Sequence, residues 1–182
     1  MKRPRKFGGT LAVIALPVLL IPCVAAGQDV AVGSATATVV TTISVTASSP
    51  LALGDVMQGV PSSVANNSGS AAIFEITGQG GSGADLYLQL PEYLALSDGS
   101  DRMTITFSST DASVDTTGAA DPTTMNASKG WQNTNPYNLP AAAVIGAAGT
   151  DVYLGGKVIP SPNQKAGSYS GDIVLTVAYN GN

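Results

Sequence analysis

Acidic side chains in loop-like stretches are the residues whose type and spacing could bind a metal ion. Asp98 and Asp101 share a Gly/Ser-rich stretch, Asp111 and Asp115 lie four residues apart, and Asp121 follows them. Ca²⁺ takes its oxygen ligands from loops of this kind. None of the spacings matches an EF-hand loop, and short Asp/Ser/Gly stretches also form ordinary turns. We therefore expect turns here, with no resident metal and no cofactor.

Candidate catalytic residues are few. The chain has no His, and its one Cys is Cys23. This composition excludes Ser-His-Asp and Cys-His nucleophiles, and zinc or copper sites made of His and Cys. Glu75 and Glu92 could supply the two carboxylates of a glycosidase, but the strand pattern places Glu75 on an outward face and predicts no cleft. We expect no catalytic residues and no enzyme activity.

An aromatic and amide-rich stretch is the remaining candidate for recognition. Residues 129–137 (KGWQNTNPY) contain the sole Trp, Trp131, together with Tyr137. Aromatic rings beside amides on a loop can stack on sugars or anchor a protein contact. A single Trp can equally cover one end of its own domain. The stretch is a possible recognition loop, with Trp131 and Tyr137 as its contact residues.

The charge distribution separates a leader from the rest of the chain. Four of the eight basic residues lie within the first six positions, and all twelve acidic residues lie at Asp29 or later. The chain beyond the leader therefore carries a formal charge of −8. Nucleic-acid binding needs clustered Lys and Arg to replace phosphate counterions, so we expect no nucleic-acid partner.

Residues 1–26 have the pattern of a cleaved signal peptide. A basic start is followed by an apolar run over residues 11–21 and by small residues before a predicted cut after Ala26. The apolar run is shorter than the roughly 20 residues of a membrane helix and is interrupted by Pro17. The sequence thus predicts a secreted protein, with no membrane span after cleavage. Cleavage removes Cys23, so no disulfide is expected.

The mature chain alternates apolar and polar residues with period two, and turn residues separate these stretches. Short strands without helices predict an all-β fold, an antiparallel sandwich of six to seven strands over residues 39–182. Residues 108–150 show no strong period, apart from one expected strand near residues 141–145. The predicted core consists of Phe74, Ile76, Leu86, Leu88, Ile105, Phe107, Ile173, Leu175, Val177 and Tyr179.

Four segments resemble a known family. Residues 51–56 (LALGDV) resemble its L-x-F-G-x-I element, residues 72–78 (AIFEITG) its A-x-F-x-I-x-G strand, and residues 154–158 (LGGKV) its V-G-G-x-L segment. Residues 164–171 (QKAGSYSG) with 177–180 (VAYN) are similar to its Q-x-A-G-x-Y-x-G … V-x-V-x-Y-N ending. The family is domain of unknown function 4402. Leu53, where the family prefers Phe, and an insertion around Trp131 depart from its pattern.

The resemblance implies a secreted bacterial β-sandwich similar to fimbrial subunits, with no catalytic residues to transfer. Such subunits are incomplete immunoglobulin-like domains, and each is completed by the N-terminal strand of a neighbour. Residues 27–38 form the candidate donor segment here, with Val30 and Val32 as its apolar anchors on one face. The alternative is an N-terminus that is disordered or that runs into the first strand of its own domain.

The chain ends three residues after Tyr179, so we expect the last strand to present an open edge that polymerisation would cover. These features predict a non-catalytic filament subunit that self-associates by strand addition and has a periplasmic chaperone as a second partner. A monomeric extracellular module that binds carbohydrate or protein is the alternative.

Overall fold

The computed structural model describes residues 33–37, 39–140 and 143–181. The predicted signal peptide and the two anchors Val30 and Val32 lie outside the described residues. The chain divides into two units, Met1–Ala37 and Thr38–Asn182. In the first unit the described residues 33–37 form neither helix nor strand. The second unit contains all of the regular structure given below.

Thirteen short strands and one 3-10 turn make up the described part of the second unit. The strands are β1 Ser44–Ser49, β2 Ser62–Val64, β3 Ala72–Thr77, β4 Gly83–Gln89, β5 Tyr93–Leu96, β6 Arg102–Thr106, β7 Ala112–Asp115, β8 Gly130–Thr134, β9 Ala143–Val144, β10 Thr150–Leu154, β11 Gly156–Ile159, β12 Tyr169–Ser170 and β13 Val174–Tyr179. The 3-10 turn spans Pro122–Thr124. The predicted all-β fold is confirmed. The described strands are more numerous than the six to seven expected.

The strands form three antiparallel sheets. The first has the order β1-β3-β10-β7-β8, the second β12-β5-β6-β11-β2, and the third β13-β4-β9. We call them the large sheet, the second sheet and the small sheet. Residues that alternate along β3, β4 and β6 point inward from all three sheets and share one hydrophobic core, so the predicted sandwich class is also confirmed.

Gly155 joins two of the sheets. It lies between β10 of the large sheet and β11 of the second sheet, and its N–H donates to the carbonyl of Asp111 over 2.8 Å. A Cβ atom at this position would lie 2.4 Å from the carbonyl oxygen of Val64 and 2.7 Å from the nitrogen of Asn66. Only glycine lets the backbone of residues 64–66 pass this close, so one extended segment can cross from one sheet to the other.

The predicted core residues all belong to the core, but they differ in how deeply they are buried. Phe74, Ile76, Leu86, Leu88, Ile105 and Phe107 are buried. The residues from the C-terminal strand and the turn before it are only half-buried: Ile173, Leu175, Val177 and Tyr179. Tyr87, which the alternation places on the opposite face of β4, is 63% exposed. The faces were therefore assigned correctly, and the core is incompletely covered next to β13.

Residues 108–150 contain more structure than the sequence predicts. The expected strand near residues 141–145 is present as β9, whose preceding residues 141–142 lie outside the described chain. Two further strands, β7 and β8, were not expected. All four residues of β7 are buried, and its alternation of apolar and polar residues is too short to mark a strand by itself. The prediction of a loop around Trp131 is wrong, because Trp131 lies within β8.

In the part of the chain that the structure describes, no helix has the length and apolar character needed to cross a membrane.

Candidate functional site

The outer edge of β13 is the first component of the candidate site. β13 pairs with β4 from Val174 to Tyr179, and among the described residues no strand pairs with its other edge. β1, the edge strand of the large sheet, comes close to β13 without pairing to it. A six-residue edge strand leaves backbone N–H and C=O groups available to another strand.

A cleft with a volume of about 1090 Å³ is the second component. One wall comes from the end of β1 and the segment that follows it, residues 47–58. The other wall comes from residues 164–173, which lead into β13. The floor consists of core residues from both larger sheets: Phe74, Met103, Ile105 and Val158. The cleft therefore opens directly onto the hydrophobic core.

Half-buried apolar side chains also pack against the core along the two edge strands β1 and β13. Ile43 and Val45 approach the core from the β1 side, and Leu175 and Val177 approach it from the β13 side. A domain of this size normally covers such side chains on all sides. Among the described residues, apolar surface is therefore left between two edge strands that do not pair with each other.

A polar cluster fixes the wall formed by residues 164–173. The Asp101 carboxylate oxygen Oδ2 accepts hydrogen bonds from the Gln164 side chain (2.8 Å), the Lys165 backbone N–H (2.8 Å) and the Tyr169 hydroxyl (2.7 Å). These donors, the Lys165 N–H foremost and then Tyr169 and the Arg102 N–H, lower the pKa of Asp101 to about 2. We call this cluster the Asp101 latch. It stays ionised over the physiological range and holds the wall in place.

The wall segment needs a glycine at position 167. Its φ of +148° lies in a region that other residues avoid, and a Cβ atom there would lie 2.5 Å from the Leu96 side chain. This segment resembles the family's Q-x-A-G-x-Y-x-G ending. It contributes Gln164 and Tyr169 to the latch, and its Gly167 lets the backbone pass close to the Leu96 side chain. Its residues build the wall of the cleft rather than a catalytic group.

The other acidic candidates do not form a metal site. Asp98 and Asp101 lie in the turn between β5 and β6, where the Ser100 N–H donates to Asp98. Asp121 accepts from Thr123 at the start of the 3-10 turn, and these bonds lower its pKa. Within the described residues, no three His, Cys, Asp or Glu side chains come together to hold a metal.

The structure corrects the predicted location of Asp115. It was expected in a loop, but it is the last residue of β7 and is fully buried. The loop of residues 116–128 covers that end of β7, and the Thr117 N–H and hydroxyl donate to Asp115 Oδ1 over 2.8 and 2.7 Å.

The two glutamates do not share a site. Glu75 lies on β3 of the large sheet, on the face away from the core, as the sequence predicted. Glu92 directly precedes β5 of the second sheet.

The two aromatic candidates are both accessible, at 37% for Trp131 and 61% for Tyr137. Trp131 borders a shallow depression formed with residues 127–130 and 144–147. Tyr137 does not line this depression.

The cleft and the Asp101 latch were missed by the sequence reasoning. Asp101 lies 68 residues from Tyr169, and no local pattern connects two such residues. One sequence feature could have indicated the latch: Gln164 and Tyr169 are two hydrogen-bonding residues within a turn.

Comparisons with known proteins give one match. No curated protein and no solved structure matches the chain. The family model described as Domain of unknown function (DUF4402) matches residues 23–179, which include every strand described above. The expected resemblance is confirmed, and the chain belongs to this family.

Proposed function

We propose that this protein is a non-catalytic structural subunit that assembles by strand addition, in which an extended segment of one copy covers the cleft of the next. The observation that carries the proposal is the unpaired edge of β13 beside a cleft that opens onto the core. An added strand would pair with β13 and would shield the half-buried Leu175 and Val177.

Residues 27–38 are the proposed donor segment. From Val30 to Thr38 the segment carries no charged side chain, and Val30 and Val32 alternate onto one face. Apolar side chains at alternate positions are what an open sheet edge above a hydrophobic cleft accommodates. Export to the periplasm or cell surface and a periplasmic chaperone that protects the open edge belong to the same proposal.

The experiment compares the mature chain with a form that begins at Val39. Removal of the donor segment should convert larger assemblies into monomers, as measured by analytical ultracentrifugation. A peptide of residues 27–38 should then raise the melting temperature of the shortened form in a dose-dependent way. At a peptide concentration about 100 times its Kd, the expected gain in stability is about 2.7 kcal/mol.

Two neighbouring substitutions give a matched control. Val177→Lys places a charge on the core-facing side of β13, whereas Thr176→Lys places the same charge on the exposed side. We expect peptide binding to be lost in the first variant and kept in the second. If both full-length and shortened forms are equally stable monomers and the peptide binds neither, the proposal of strand addition is wrong.

The depression beside Trp131 supports a second candidate, a monomeric module that binds carbohydrate or protein. The exposed indole offers a stacking surface of the kind that sugars use. Under this alternative, Trp131→Ala would abolish ligand binding in a glycan screen, and deletion of residues 27–38 would leave the oligomeric state unchanged.

A further inference from the structure

The last strand is tied to the segment that precedes β1. Tyr179, the last residue of β13, donates its hydroxyl hydrogen to the Thr41 carbonyl over 2.9 Å and accepts a hydrogen bond from the Gln79 N–H over 2.6 Å. Thr41 lies just before β1, and Gln79 lies just after β3. One side chain of the small sheet therefore holds the ends of two strands of the large sheet. We call this contact the Tyr179 clamp.

The clamp is closely packed around its hydroxyl group. A Cβ atom at Gly78 would lie 2.5 Å from the Tyr179 hydroxyl oxygen and 3.0 Å from Ile145 Cδ1. Any side chain at position 78 would therefore displace the hydroxyl from Thr41 and Gln79. Gly78 and Tyr179 belong to the two segments, 72–78 and 177–180, that resemble the family pattern.

The clamp and the cleft lie at opposite ends of the two edge strands. The clamp joins the residue before β1 to the last residue of β13. The cleft is lined by Ala47 and Ser49 near the end of β1, and by Asp172 and Ile173 just before β13. β1 and β13 therefore run in opposite directions, tied together at one end and separated by the cleft at the other.

The clamp also fixes the point from which the donor segment, residues 27–38, emerges. Val39 is 94% exposed and Val40 is 43% exposed, and directly after them the Thr41 carbonyl is held by Tyr179. The chain thus reaches the body of the domain at the clamped end of β13, which is the end remote from the cleft.

This attachment point gives the donor segment two routes with opposite strand directions. To enter the cleft of its own domain, the segment would have to reverse direction at the clamp and lie parallel to β13. A segment from a second copy would enter at the cleft, because the clamp bridges the other end, and would lie antiparallel to β13. Antiparallel pairing is slightly more stable per residue than parallel pairing.

The length of the donor segment suits the route between copies. Its twelve residues reach about 40 Å when extended, and the six-residue β13 is about 20 Å long. The segment can therefore cover the whole edge of β13 and still span the distance to the domain that carries it.

We infer that the Tyr179 clamp directs strand addition between copies: the cleft takes residues 27–38 of a second copy, antiparallel to β13 and with their N-terminal end towards Tyr179. Tyr179 acts as a positioning residue, because it holds the base of the donor segment away from the cleft of the same domain. The inference rests on the proposed strand addition and adds the strand direction and the residue that disfavours insertion within one chain.

Cross-linking in the mature chain tests the strand direction. A chain that begins at Gly27 contains no cysteine. Val174 and Ala178 lie on the exposed face of β13, at opposite ends of the strand, so substitutions there leave the core unchanged. Four double variants combine Gln28→Cys or Thr36→Cys in the donor segment with Val174→Cys or Ala178→Cys in β13. A short bismaleimide then joins cysteines that lie close together.

The antiparallel arrangement predicts cross-links in two of the four combinations, Gln28→Cys with Ala178→Cys and Thr36→Cys with Val174→Cys. The products should form a ladder of covalent multimers on a denaturing gel. Cross-links in the two opposite combinations would overturn the inference, and their confinement to single chains would leave strand addition standing as insertion within one chain. No cross-link in any combination would overturn the inference together with strand addition to β13.

Tyr179→Phe tests the clamp itself, because it removes the hydroxyl and keeps the ring. The ratio of single-chain to multichain cross-linked product, summed over the four combinations, should rise by about fivefold, the effect of losing one ordinary hydrogen bond. Gly78→Ala, which displaces the hydroxyl, should raise the ratio as well. Tyr87→Phe, which removes an exposed hydroxyl from β4 of the same sheet, is the matched control and should leave it unchanged.

A purely structural role for the Tyr179 hydroxyl would give a different result. The melting temperature of Tyr179→Phe would fall while the ratio of single-chain to multichain product stayed the same, and this outcome would overturn the inference. The measurement of strand direction keeps the clamp intact, so it does not depend on the folding of the Tyr179→Phe or Gly78→Ala variants.

Discussion

The substitution Gly155→Ala tests how the two larger sheets are joined. The added methyl group would lie 2.4 Å from the Val64 carbonyl oxygen, 2.7 Å from the Asn66 nitrogen and 2.8 Å from the Ala65 carbonyl carbon. All three atoms belong to the backbone, so no side chain can rotate away to make room. The segment at the end of β2 must move, or β10 and β11 must shift in their sheets.

We expect a loss of stability of about 1–3 kcal/mol or more, the range for inserting a methyl group into a packed interior. For a domain of this size, a change of 1 kcal/mol shifts the melting temperature by about 2–4 °C. The variant should therefore melt at least about 2 °C below the unmodified protein. Its urea midpoint should fall with an unchanged slope, because the surface exposed on unfolding is the same.

Gly69→Ala is the matched control. Gly69 has no atom within 4 Å of the position that its Cβ would take, and its φ lies outside the left-handed region. The same methyl group there should leave the melting temperature unchanged or slightly raised. Equal melting temperatures for the two variants would show that the backbone at Gly155 is not closely packed, and the account of the sheet junction would be wrong.

Three further outcomes are expected from the fold. Phe74→Ala should lower the free energy of unfolding, measured in urea, by about 3–5 kcal/mol. Leu175→Ala should lower it by only about 1 kcal/mol, because Leu175 is half-buried. Equal losses for the two variants would contradict an open cleft beside β13. Because the pKa of Asp101 is lowered, the ionised Asp101 stabilises the fold above pH 3.8, and this stabilisation is lost as the pH falls towards 2. The melting temperature of the Asp101→Asn variant should therefore depend less on pH in this range than that of the unmodified protein. Ala120→Gly should raise stability by about 0.5–1 kcal/mol, as measured by urea unfolding, because glycine adopts a positive φ without strain, and a loss of stability would contradict that reasoning.

The period-two pattern predicted the fold at β3, β4 and β6. β3, β4 and β6 each alternate between the core and a polar face, and their inward residues were assigned correctly. β7 was not found, although its four residues alternate between apolar and polar, because so short an alternation does not mark a strand by itself. Ser113 and Asp115 are polar yet 0% exposed, because the loop of residues 116–128 covers the outer face. A pattern of polarity cannot distinguish a polar residue in water from a polar residue under a loop.

Of the candidate site, only the open edge of the last strand could be predicted from the sequence. An open final strand was expected from the sequence, and the described residues show β13 without a second partner. The cleft could not be predicted, because its floor combines Phe74 with Met103 and Val158 from another sheet. The positions of these residues relative to one another depend on the register between sheets, which no local pattern contains. The Asp101 latch depends on a similarly distant contact.

The bend at Gly155 has a consequence for the order of folding. The segment of residues 150–159 supplies β10, which is the central strand of the large sheet, and β11, which joins β6 to β2. Until this segment is in place, β3 and β7 have no common neighbour, and the β5–β6 hairpin cannot connect to β2. Pairings this distant in sequence form slowly and leave unpaired edges exposed in the meantime. The two larger sheets should therefore form together in one late step, and a chain truncated before residue 150 should remain unfolded although it contains nine of the thirteen strands.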